Sequence, residues 1–129
     1  MTPDELKLRT KKFAIRCLKV AESLPRTITG KTIASQLARA ATSVAANYRA
    51  TCRARSKAEF IAKMGIVEEE ADEVAFWLDL TVAAEALSSS RLKRLMTEAD
   101  ELVRIIAASR ISATRSAQAN RQSPIANRQ

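Results

Sequence analysis

Five carboxylates fall within six residues, Glu68, Glu69, Glu70, Asp72 and Glu73, and such a cluster on a helix could hold a pair of bridged metal ions. Bundle proteins that do this complete the shell with further Glu ligands and Glu-x-x-His motifs from facing helices. This chain has no histidine and no second acidic helix, so neither a metal nor another cofactor is expected. The missing imidazole also removes the usual general base, the nucleophilic triads and most transition-metal sites. Cys17 and Cys52 stand far apart, in no metal or redox spacing, each inside a helical pattern, and read as reduced structural thiols. Gly30, Lys31 and Thr32 imitate the end of a phosphate-binding loop, yet the first glycine of that motif would fall on Pro25, and a helix pattern replaces the required strand. An enzyme is not expected.

The remaining chemistry is electrostatic. Lys and Arg number 22 against 14 Asp and Glu, a net charge of +8, and the distribution is uneven. Residues 1–65 carry 14 bases and 4 acids, residues 66–87 carry seven acids and no base, and residues 88–129 carry 8 bases and 3 acids. A basic body favours polyanions such as RNA or DNA through counterion release and long-range attraction. Arg49, Arg53, Arg55 and Lys57 concentrate positive charge in one connector, and Lys11, Lys12 and Arg16 add a second patch. Phosphate contact and a solvated helix end are both open readings of these residues. No aromatic residues interleave with them, so any nucleic-acid binding should be independent of sequence. Along the acidic segment, the like charges at Glu68 with Asp72 and Glu69 with Glu73 repel. A basic neighbour is therefore expected, from the first helix or from another subunit.

The elements that must position these groups are helices, because two Gly and three Pro in 129 residues leave little turn chemistry. Thr2, Pro3 and Glu5 make a capping signature, after which Leu6, Thr10, Phe13, Cys17, Val20 and Leu24 form one stripe. The second stripe is Ile33, Leu37, Ala40, Val44, Asn47 and Thr51; the third, opened by Ser56 with Glu59, is Phe60, Met64, Val67, Ala71, Val74 and Leu78; the fourth is Leu92, Leu95, Ala99, Leu102, Ile106 and Ser109. Asn47, a polar residue on a buried stripe, is expected to fix register. Four stripes joined by short connections predict an all-α fold, an antiparallel up-down four-helix bundle over residues 1–111, with helices at about 3–24, 31–53, 57–87 and 91–110. Residues 112–129, rich in Ser, Ala, Asn, Gln and Arg, read as a disordered basic tail. No apolar run reaches the 18 or so residues that span a bilayer, and no secretory segment is evident, so no membrane partner is expected and the cytoplasm is the default.

Phe76, Trp77, Leu78 and Leu80 point in several directions from one helix. Phe76, Trp77 and Leu80 therefore mark a candidate subunit interface.

Gln36, Leu37, Arg39, Ala40, Ala41, Ser43, Val44, Ala46 and Asn47, followed by Arg55, Ser56, Glu59 and Phe60 and then Ile66, Glu73 and Leu78, resemble the bacterial four helix bundle protein family. That family includes the protein encoded in intervening sequences of large-subunit ribosomal RNA genes. Two departures stand out: Arg49, Ala50 and Thr51 occupy the usual Ala-Glu-Gly, and Glu69 and Glu70 replace a small Gly-Ser pair. The resemblance implies a homopentameric ring and an association with RNA or DNA. Proteins of similar fold also serve as reverse transcriptase accessory subunits in diversity-generating retroelements, so a protein-interaction adaptor is the alternative reading.

Overall fold

The computed structural model describes residues 1–122, which form four helices: α1 (Pro3–Ser23), α2 (Ile28–Thr51), α3 (Lys57–Ala83) and α4 (Ser89–Gln122). Neighbours in sequence pack side by side, α4 returns to touch α1, and the diagonal pairs stay apart. Cross-links fix the directions. Asn47 and Arg39 of α2 reach Glu70 and Glu73 of α3, and Arg110 and Ser116 of α4 meet Glu68 and Lys57 of α3. As one number falls the other rises, so adjacent helices are antiparallel. The architecture is the expected up-down four-helix bundle.

Most positions of the predicted stripes form its core. Phe13, Cys17, Ile33, Leu37, Val44, Met64, Val67, Val74, Leu78, Leu92, Leu102 and Ile106 are at most 1% exposed. Three threonines are buried among them, and each satisfies its hydroxyl by donating to a carbonyl one turn back, Thr10 to Leu6, Thr51 to Asn47 and Thr81 to Trp77. Ala40 and Ala41 are fully enclosed on α2, where small side chains let neighbouring helices approach closely. Among the described residues no helix is long and apolar enough to cross a membrane.

The structure departs from the expected boundaries in three places. Helix α2 starts at Ile28 rather than residue 31, because Thr27 accepts the Gly30 amide at 3.0 Å and caps the helix. Gly30 is needed there: a Cβ would stand 1.8 Å from the Pro25 carbonyl oxygen. Helix α3 stops at Ala83 instead of 87. Glu85 takes a left-handed φ of 58°, while Ala86 donates to the Thr81 carbonyl and Glu85 to that of Val82. This is a Schellman ending with glutamate where glycine is usual.

Helix α4 runs on to Gln122, correcting the expectation of a tail from residue 112. Half-buried Ala113, Thr114 and Ala117 continue the spacing of Ile106 and Ser109, and Lys57 donates to Ser116 at 2.6 Å. Alanine and arginine are strong helix formers, so modest contact suffices. The rest of that expected tail, residues 123–129, lies outside the described residues.

Candidate nucleic-acid interface and subunit face

The antiparallel order gathers the start of α1, the end of α2, the start of α3 and the overrunning α4 at one end of the bundle. The connector between α2 and α3 is held tightly. Ser56 accepts the Glu59 amide at 3.0 Å, and the Glu59 carboxylate accepts the Arg55 amide at 3.1 Å. Lys63, 2.9 Å away, and the Arg55 amide together hold the Glu59 carboxyl below the usual carboxylate range. The predicted cap is present, with its return bond made to the residue before Ser56. This turn displays Arg53 and Arg55 to solvent beside Lys57, one turn beyond exposed Arg49.

Cations along the helix seams are used differently from those at the ends. Arg9 bridges from α1 to Glu98 and Glu101 of α4, at 2.6 Å to each, and the paired carboxylates hold its guanidinium still more firmly protonated. Arg39 pairs with Glu73 and Arg110 with Glu68. Arg49, Arg53 and Arg55 have no ion pair among the described residues. The α1 patch divides. Lys11 shares a groove of about 570 Å³ with Arg49, so these two predicted residues come together. Arg16 lies two turns from Arg9 on the same line of α1 and so turns toward the α4 side, while exposed Lys12 stands between that line and the outward face.

Sequence reasoning missed two parts of the charged surface. Exposed Arg115 precedes the Ser116 that Lys57 reaches, and so joins the connector end; it was hidden by the expectation of a disordered tail. At the opposite end, exposed Arg26, Lys31, Arg91, Lys93 and Arg94 surround the starts of α2 and α4, neither of which carries an acid in its first turn. These five cations also have no ion pair among the described residues. Their positions along the chain carry no sign that two helix starts meet there.

The acidic segment does not converge on one point. Glu68 turns to Arg110 of α4, whereas Glu70 accepts from Asn47 at 2.6 Å and Glu73 from Arg39, both on α2. Within the chain, the basic partners of Glu68 and Glu73 come from α4 and α2 rather than from α1. Glu69 and Asp72 remain exposed. Among the described residues no group of three or more His, Cys, Asp or Glu is placed to hold a metal.

Asn47 is half-buried; Tyr48, 5% exposed, takes the core place that the stripe assigned to Asn47. A phenol buries far more apolar surface than an amide, while the amide at the boundary gains a charged acceptor. Tyr48 lines an end cavity of about 520 Å³ with Leu6, Cys52, Phe60 and Ile105. Burial, and then the neighbouring Cys52 thiol, raise the Tyr48 phenol above its ordinary range. Cys17 is fully enclosed, and burial pushes its thiol up to about 12. Gly30 lies inside the first turn of α2 with its amide already taken by Thr27, so the Gly-Lys-Thr run forms no phosphate cradle.

On α3 the three predicted interface residues separate. Phe76 is 54% exposed, while Trp77 and Leu80 are half-buried. Phe76 meets Trp77 edge-on with ring centroids 5.0 Å apart, and the buried Trp77 indole Nε1 has no hydrogen-bond partner among the described residues.

A solved structure of a protein of unknown function from the S23 ribosomal protein family of Bacteroides thetaiotaomicron VPI-5482 resembles this fold with a TM-score of 0.78 and 25% sequence identity. The similarity covers 85% of this chain and 98% of that one. No curated protein matches the chain. The 23S rRNA-intervening sequence protein family model matches residues 5–108, from the first turn of α1 into α4. With the bundle, its order and the match across all four helices in agreement, the chain belongs to the 23S rRNA-intervening sequence protein family.

Proposed function

We propose that this chain is a non-catalytic bundle protein that assembles as a homopentamer and associates with RNA or DNA through its cationic ends. The observation that carries the nucleic-acid reading is the sorting of its cations. Arginines in the seams are consumed by carboxylates, whereas Arg49, Arg53 and Arg55 stand exposed without an ion pair among the described residues. Lys57 and Arg115 extend this surface. Exposed cations on a rigid, capped turn suit phosphate contacts, which give affinity without base readout. The self-assembly reading is supported by Phe76 and Ile66, 54% and 52% exposed on the same helix, since large apolar groups left in water favour a partner surface.

Binding of a generic RNA across a salt series tests the nucleic-acid reading. About four phosphate contacts give a slope near −3 in the logarithmic plot, so affinity falls roughly 60-fold between 50 and 200 mM salt. No binding at 50 mM, or binding indifferent to salt, would overturn it. Mass measurement in solution tests the assembly.

A further inference from the structure

We infer that copies of this chain join head to tail, the outer face of α1 on one copy seating against the outer face of α3 on the next. The inference rests on the self-assembly reading and names the surfaces that carry it. On α1, Leu8 and Ile15 are 52% and 45% exposed. They stand two turns apart on the outward line of the helix, about 10.5 Å along its axis, with exposed Lys11 and Lys12 between them. On α3, Ile66 and Phe76 are similarly exposed, about 15 Å apart along the axis and offset by roughly a quarter turn, with exposed Glu69 and Asp72 between them. Both faces run apolar, charged, apolar, and the charges are opposite.

Each chain holds its two faces apart. Helices α1 and α3 are diagonal in the bundle and do not touch, so their outer faces point to opposite sides and no copy can satisfy its own. Glu69, Lys11 and Lys12 have no ion pair among the described residues, which leaves their charges available to a neighbour. A twofold contact is disfavoured on either face, because it would set lysine against lysine or glutamate against glutamate. The heterologous contact removes four large apolar side chains from water and matches the charges between them. It also leaves one α1 face and one α3 face unfilled on every growing assembly until a ring closes. In this arrangement Lys11 and Lys12 serve subunit contact, and the cationic ends remain free for phosphates.

The experiment uses two full-length variants, Ile15→Glu and Phe76→Glu, each disabling one face, with mass in solution as the readout. Each alone is expected as a monomer, its self-association weakened about 100-fold or more. Mixed in equal amounts they should form a 1:1 dimer, because one intact α1 face meets one intact α3 face. An Ile15→Glu protein that keeps the wild-type mass, or a mixture that stays monomeric, overturns the inference. If the wild-type protein is itself monomeric, the assembly reading falls with it; assembly that survives Ile15→Glu removes this pairing alone. A charge swap provides a gentler check should either variant melt early. Lys11→Glu and Glu69→Lys should each weaken assembly about tenfold and restore it in part when combined in one chain; additive losses would count against the pairing.

Discussion

The two ends of the bundle carry similar numbers of cations on different frameworks. At one end Arg49, Arg53, Arg55 and Lys57 ride a short connector clamped by Ser56 and Glu59, and the helices that start there already have acids in the first turn, Asp4 and Glu5 on α1 and Glu59 on α3. At the other, Arg26, Lys31, Arg91, Lys93 and Arg94 surround the starts of α2 and α4, whose first turns lack acids, so the positive ends of two helix dipoles reinforce the cations. Both ends are capped by side chains, Ser56 at the first and Thr27 at the second, but at the first a carboxylate, Glu59, joins the cap. The second keeps its backbone field unneutralised, and its closing turn relies on Glu85 in a left-handed conformation. A count of cations alone would rank the ends as near equals; the acids beside them, the local field and the rigidity distinguish them.

The seam supplies the reference for both. Arg9→Ala removes the bridge to Glu98 and Glu101 and leaves Glu98, with only 17% of its side chain exposed, short of a partner. Stability should fall by about 2 kcal/mol in a urea titration while RNA affinity stays unchanged. Next in size is the contrast between the ends. Arg53→Ala with Arg55→Ala should lower RNA affinity about tenfold at 50 mM salt and flatten the salt slope by about 1.5, with stability within about 0.5 kcal/mol of wild type. Arg91→Ala with Arg94→Ala should lower affinity at least as much, because those cations sit in the helix-start field. Unchanged affinity in either pair removes that end from the interface.

The frameworks can be perturbed separately. Ser56→Ala should destabilise the protein by about 1 kcal/mol through loss of the α3 cap. Glu85→Gly should stabilise it by up to about 1 kcal/mol, since glycine adopts the left-handed turn without the Cβ penalty. Thermal melts of the two variants should therefore move in opposite directions. The smallest effect concerns pH. Glu59 has a folded-state pKa below its unfolded value, so its contribution is full above the ordinary carboxylate range and is lost as pH falls through the depressed value. Glu59→Gln should narrow the stability difference between pH 7 and pH 3.

Most of the fold was legible because burial is periodic. Leu92, Leu95, Ala99, Leu102 and Ile106 stand in the core as their spacing requires. The failures have local causes. The extension of α4 was hidden because Ala113 and Ala117 carry too little apolar surface to mark a stripe. Helix α3 ends where no glycine signals a stop. Asn47 and Tyr48 are adjacent, and either completes a helical repeat, so spacing alone could not choose between them. The candidate site was legible in residue type and less so in arrangement. Whether an arginine is free depends on carboxylates far away in sequence, as Arg9 with Glu98 demonstrates, and adjacency along the chain could not reveal the second cationic end.

Trp77 is the sole tryptophan, and its indole N–H is shut away from water without an acceptor among the described residues. Its neighbour Phe76 stands on the face that a second copy would cover. The molecule thus carries a built-in fluorophore at the rim of that face, and its emission should respond to dilution and to Phe76→Glu without any attached dye.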